Sequence, residues 1–175
     1  MRITVVEGDI TEQDVSAIVN AANSSLMGGG GVDGAIHRAA GPGLLEHCRA
    51  LRATRWPEGL PPGRAASTPG ARLPADWVIH TVGPNRHAGE TDPSVLVSCF
   101  RESLLEAVRL GADSVAFPAI GAGVYGWEAG DVARAARLAL TEAPARWDTL
   151  VEVRFVLFSA PVAAAFRDHL SDLCG

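Results

Sequence analysis

Four polar side chains crowd around a run of glycines: Asn20, Asn23, Asp33 and His37 share one short span with four consecutive glycines, Gly28–Gly31. Glycine-rich turns let a backbone approach a ligand closely and offer several N–H groups at once to phosphate oxygens. This run also opens onto a helical pattern, and a helix N-terminus favours negative charge. Asp33 falls in the first turn of that helix, where a carboxylate either caps it or orients a substrate hydroxyl or a water. His37, four residues on, shares its face. The pair reads equally as an ordinary Asp–His hydrogen bond and as a working carboxylate with an imidazole behind it. Asn20 and Asn23, at the end of a buried strand pattern, either satisfy local backbone groups or bond the hydroxyls of a sugar.

A second glycine-rich stretch, Pro118–Gly126 (PAIGAGVYG), leads toward another helix in the same way. Two such loops facing each other could clamp a diphosphate without any lysine. Neither matches the Walker signature GxxxxGK[ST], and Gly121–Gly126 does not reproduce the GxGxxG dinucleotide fingerprint. Asp9, in Gly8-Asp9-Ile10-Thr11, is either a turn residue capping a short helical turn or an acceptor for an exocyclic amine such as that of adenine.

The elements that must position these residues alternate along the chain. Strands are expected at Arg2–Val6, Ala17–Asn20, Trp77–Val82, Ser114–Phe117 and Leu150–Phe158, with at most a short one near Ala65–Thr68. Helices are expected over Val32–Ala40, Gly43–Ala53, Pro93–Leu110, Asp131–Glu142 and Pro161–Leu173. The stretch Trp56–Pro74, punctuated by Pro57, Pro61, Pro62, Gly63, Pro69, Gly70 and Pro74, reads as loop. Short, continuously apolar strands between helices predict an α/β fold with a mostly parallel sheet covered on both faces. In such sheets ligands sit outside the carboxyl ends of the strands. The Gly8 turn, the Asn20–Gly31 loop and the Pro118–Gly126 loop all come directly after strands, so they should converge on one cleft.

Composition narrows the class. The chain has 175 residues, 47% hydrophobic and 20% charged, which suits a single domain over residues 1–175 with one sizeable core. Its net charge of −5 carries no dense basic run, which argues against long nucleic acid as the main partner. The three cysteines are scattered, and the five histidines show no metal-ligand pairing, so neither a disulfide framework nor a metal site is supported. No apolar run approaches the ~18–20 residues of a membrane span. The N-terminus reads as the start of the fold rather than a secretion signal, so a cytoplasmic protein is expected. A monomer is expected as well, since no long apolar surface helix is left over.

The run from Val19 to Gly41 (VNAANSSLMGGGGVDGAIHRAAG) closely resembles the signature of macrodomains of the MacroD type. Gly8–Thr11, Val78–Pro84 (VIHTVGP) and Pro118–Gly126 resemble that family's other motifs, in the same order. The resemblance implies a three-layer α/β/α sandwich around a central mixed, mostly parallel sheet. It implies a pocket for ADP-ribose in which Asp9 takes the adenine amine beside the Ile10 backbone. Phe158 would stack on the adenine, its rival reading being a core phenylalanine. Gly30, Gly31 and Val32 would embrace the diphosphate from one side, and Gly121, Ala122, Gly123, Val124 and Tyr125 from the other. Asn23 and Asp33 would meet the distal ribose, with Tyr125 as its wall and His37 behind Asp33.

The activity implied is hydrolysis of mono-ADP-ribose ester-linked to acidic protein residues, and of O-acetyl-ADP-ribose, with no cofactor. Partners would be ADP-ribose and mono-ADP-ribosylated proteins, with ADP-ribosylated nucleic-acid ends as a further class. The alternatives are a reader that binds ADP-ribose without cleaving it and a generic nucleotide- or RNA-binding domain. Two segments depart from the family's usual pattern, Trp127-Glu128 and the proline-rich Trp56–Ser67, and both are expected at the rim of the cleft.

Overall fold

A computed structural model describes all 175 residues. The strands are β1 (Arg2–Glu7), β2 (Ala17–Ala22), β3 (Ala65–Pro69), β4 (Trp77–Val82), β5 (Ser114–Phe117) and β6 (Glu152–Leu157). The helices are α1 (Gly31–Ala40), α2 (Pro42–Thr54), α3 (Pro93–Arg109), α4 (Ala129–Thr141) and α5 (Ala160–Leu170). Local chemistry accounts for their bounds. Helix α3 starts where the Asp92 carboxylate accepts from the Ser94 N–H at 2.9 Å and Pro93 supplies a ready-made first φ. Its apolar positions Leu96, Phe100, Leu104 and Ala107 are all 0–1% exposed, a single stripe at helical spacing. Strand β6 is shorter than expected at both ends. Leu150 turns back to bond the Trp147 carbonyl at 2.9 Å, and Phe158 lies beyond the ladder.

The sheet runs β1-β6-β5-β2-β4-β3. Its neighbours are parallel throughout except β3, which pairs antiparallel with β4 at the edge. This is the mixed, mostly parallel sheet that the sequence predicts. One face carries α3, α4 and α5 over a core built around Phe100, Phe117, Phe155 and Phe166. Their rings pack in series, with centroids 5.3 Å (Phe100–Phe117), 5.6 Å (Phe117–Phe155) and 5.4 Å (Phe155–Phe166) apart. The other face carries α1 and α2, whose Ile36, Leu44 and Cys48 pack on Ile18 and Val78. The result is a three-layer α/β/α sandwich.

This topology sets the position of the cleft. Adjacent strands β2 and β5 point the same way, but the helix after β2 covers one face and the helix after β5 covers the other. The two exits part at a topological switch point, and a crevice opens between them.

Candidate functional site

A cavity of about 470 Å³ lies in that crevice. The carboxyl ends of four strands form its floor: Ala21–Asn23 after β2, Gly83 after β4, Pro118 and Ala119 after β5, and Val156–Ser159 after β6. The two glycine loops form its facing walls, Gly29–Asp33 on one side and Gly121–Tyr125 on the other.

On the first wall, α1 begins at Gly31 with Gly30 as its cap, and no side chain accepts from its first turn. The leading N–H groups and the positive end of the helix dipole therefore face the cavity. Opposite, the second loop is held by turn bonds from Ala122 to Ala119, Gly126 to Gly123 and Trp127 to Gly121, which leave the N–H groups of Gly123, Val124 and Tyr125 without a backbone acceptor. Gly121 sits at φ +83°, and a Cβ there would stand 3.0 Å from the Trp127 ring, so only glycine makes this turn without strain. Two arrays of unspent donors across a narrow gap form an anion clamp that needs no lysine.

At one end of the clamp lie Asn23 and Asp33. The Asn23 carbonyl accepts from the Ser25 hydroxyl at 2.6 Å and its amide donates to the Gly28 carbonyl at 2.9 Å, so the side chain is fixed. Asp33 is only 5% exposed, yet it lines the cavity. Its Oδ1 accepts from the Asn20 amide at 2.8 Å, and its Oδ2 faces Gly29, where a Cβ would come within 3.2 Å of it and 3.3 Å of the Asn23 amide. Glycine at that position is what lets both polar groups meet the cavity together. Burial, with the charges of Glu90 and Asp33, raises the Tyr125 hydroxyl above its ordinary pKa, so it stays protonated at the same end.

At the other end stands Phe158, 61% exposed on the cavity lip. The core reading of this ring does not survive. Beside it, the Gly8 N–H donates to the Leu157 carbonyl at 2.9 Å, which brings the turn after β1 alongside.

Eleven of the expected residues thus share one cavity: Asn23, Gly30, Gly31, Val32, Asp33, Gly121, Ala122, Gly123, Val124, Tyr125 and Phe158. Four lie off its wall. Asp9 takes the capping role, its Oδ1 accepting from the Thr11 N–H at 2.9 Å and the Thr11 hydroxyl at 2.7 Å. Ile10 is a core residue, 1% exposed. Asn20, expected to satisfy local groups or to bond a sugar hydroxyl, is wholly buried behind Asp33 and donates to it. His37 also stands behind Asp33, its Nε2 3.4 Å from Oδ1.

The two segments expected at the rim are elsewhere. Trp127 is 6% exposed and donates from Nε1 to the Pro84 carbonyl at 2.8 Å, tying the exit of β4 to the second glycine loop. The Trp56–Ser67 segment contributes nothing to the cavity wall. It props the Asn23 loop from behind, through Leu60 N–H to the Ser24 carbonyl at 2.9 Å. Wall residues that the sequence reading missed include Gly83, Leu157 and Val162. The first two sit at carboxyl ends of strands, which was a usable signal; Val162 on α5 carried none.

A family model described as "Macro domain" matches residues 19–136. A macro domain-containing protein of Streptomyces nogalater is 55% identical over 170 residues, 97% of this chain and 92% of that protein. A protein of Citrobacter rodentium named O-acetyl-ADP-ribose deacetylase is 49% identical over 171 residues, 97% of this chain and 96% of that one. Among solved structures, the Oceanobacillus iheyensis macrodomain with ADP superposes with a TM-score of 0.88 at 39% identity, covering 97% of this chain and 90% of that one.

Proposed function

The chain belongs to the macro domain family, and on that premise we propose that it binds ADP-ribose and hydrolyses mono-ADP-ribose from acidic residues of proteins, and that it deacetylates O-acetyl-ADP-ribose. The observation that carries this reading is the juxtaposition, in one cavity, of two lysine-free donor loops with Asn23 and Asp33 at one end and Phe158 at the other. The diphosphate lies between Gly30–Val32 and Gly121–Tyr125. The adenine rests on Phe158, with Asp9 beside it at the exit of β1. The distal ribose reaches Asn23 and Asp33, with Tyr125 as its wall.

Clamping the diphosphate restricts where the ribose can go, and such positioning supplies a large part of a rate enhancement. Water attacks the ester that joins the ribose to the carboxylate. One C–O bond breaks and one forms, and ADP-ribose and the free acid leave. Asp33 holds the water or a ribose hydroxyl, and Asn23 bonds a ribose hydroxyl; His37 supports Asp33. A relative bearing the name O-acetyl-ADP-ribose deacetylase and a close structural neighbour holding ADP support this assignment.

The test is release of ADP-ribose from a protein mono-ADP-ribosylated on glutamate, with binding monitored by calorimetry. Asp33→Ala is expected to slow release at least about a hundredfold while shifting the Kd for ADP-ribose less than about threefold. Tight binding with no release by the wild type would make the chain a reader. Neither binding nor release would refute the pocket assignment.

A further inference from the structure

Behind Asp33, away from the cavity, a buried polar chain runs through α1, β2, β4 and β3. The Asn20 Nδ2 lies 2.8 Å from Asp33 Oδ1 and 3.2 Å from His80 Nδ1. One nitrogen serves both contacts, so the amide commits one hydrogen to each. The reverse orientation would press a carbonyl oxygen against the carboxylate. His80 Nδ1 must then be an acceptor, which places the ring proton on Nε2, 2.9 Å from Thr68 Oγ1.

Asn20, His80 and Thr68 are 0%, 0% and 2% exposed. The Asn20 carbonyl oxygen has no partner at all. A buried acceptor left unsatisfied is a cost to the fold, and hydrophobic residues of similar size would avoid it. The side chain is held by its donor side alone, and that donor side faces Asp33.

We propose that His80 is a positioning residue for Asp33, acting through Asn20, with Thr68 selecting the tautomer that makes this possible. The inference rests on Asp33 being a working group of the proposed hydrolase. Were the ring proton on Nδ1, an N–H would face the Asn20 N–H. The amide would turn or withdraw, and Asp33 would lose the 2.8 Å hydrogen bond from Asn20. The groups that bear on the ring are Asp33 and His37 from α1 and Cys48 from α2, whose Sγ is 3.7 Å from Nε2. Burial, then the His37 charge, lowers the His80 pKa to about 3, so the ring stays neutral; burial and Asp33 push the Cys48 thiol up to about 12.

Three substitutions separate the cases. His80→Asn keeps an acceptor where Nδ1 stood; His80→Phe removes it; Thr68→Val removes the partner of Nε2 with little change of shape. The readings are kcat and KM for ADP-ribose release from the glutamate-modified protein, the Kd for ADP-ribose, and hydrogen exchange of the Asn20 side-chain amide. Expected are a kcat loss of at least about tenfold in His80→Phe with Kd changed less than about threefold, a smaller kcat loss in Thr68→Val, and recovery to within about threefold of wild type in His80→Asn.

Equal kcat in all variants overturns the proposal, as does a parallel loss of kcat and affinity, which would mean general disruption of the site. If His80→Phe does not fold, Thr68→Val against wild type decides on the same readings. Should the wild type release nothing, the hydrolase assignment fails separately, and amide exchange decides the anchor. An Asn20 amide no less protected in Thr68→Val or His80→Phe than in wild type overturns it.

Discussion

Phe158 shows how much a single side chain's surroundings decide. A phenylalanine after an apolar strand is ordinarily core, but β6 ends at Leu157 and the next side chain is left 61% exposed over the cavity. An aromatic face held in water at a cavity lip contributes little to folding and is available to stack on a base. Phe158→Ala is therefore expected to weaken ADP-ribose binding by about tenfold or more by calorimetry, since stacking on a base is worth about 1–3 kcal/mol. The melting temperature should barely move. A large drop in Tm with unchanged affinity would return the ring to the core. Asp33 is the converse case: nearly buried, it spends one oxygen on Asn20 and turns the other toward Gly29 and the cavity.

At the scale of elements, the site depends on how strand exits are tied to one another. Trp127 is the clearest tie, its indole N–H bonding the Pro84 carbonyl across 43 residues of chain while Arg86 lies 5.0 Å over the ring. Trp127→Phe keeps most of the packing but leaves a buried carbonyl unsatisfied, a loss of about 1–3 kcal/mol. Thermal melts should show lower stability, and the second glycine loop, no longer anchored, should bind ADP-ribose more weakly. Unchanged melting and affinity would mean that packing alone holds the loop. The elements themselves were legible because each is a local pattern: β4 is a short, mostly apolar and β-branched run (WVIHTV) closed by Gly83-Pro84, and α3 carries its cap, its Pro and its stripe in order. The glycine loops were legible for the same reason. What escaped was everything set by partners distant in sequence. The place of Asn20 between Asp33 and His80 was not legible, because His80, sixty positions away, is invisible from its neighbourhood. Trp56–Ser67 looked like a rim because nothing local says that Leu60 will bond Ser24.

For the molecule as a whole, two buried ionisable groups contribute to how it meets acid, and both act in the same direction. His80 keeps a neutral ring down to about 3 in the folded chain, against 6.5 when unfolded. Between these values the unfolded chain holds a proton that the folded chain does not, so stability falls as pH falls. Glu152 joins β1 to β6, accepting from Arg154 at 2.8 Å, Arg2 at 2.9 Å and Thr4 at 2.9 Å. The Arg154 hydrogen bond above all, then those of Arg2 and Thr4, outweigh burial and hold its pKa at about 2, against 4.5 unfolded. Its contribution is present above 4.5 and is lost as pH falls toward 2. Melting temperatures taken across this range should therefore decline in two overlapping stages, His80 dominating from 6.5 to 4.5 and Glu152 joining below. His80→Asn should flatten the first stage and leave the second. Glu152→Gln should lower Tm at neutral pH, because it weakens the charged pairing of the strands, and should shrink the second stage only. If His80→Asn melts with the wild-type slope above pH 4.5, burial does not hold the His80 ring neutral through that range, and the acid sensitivity must come from other groups.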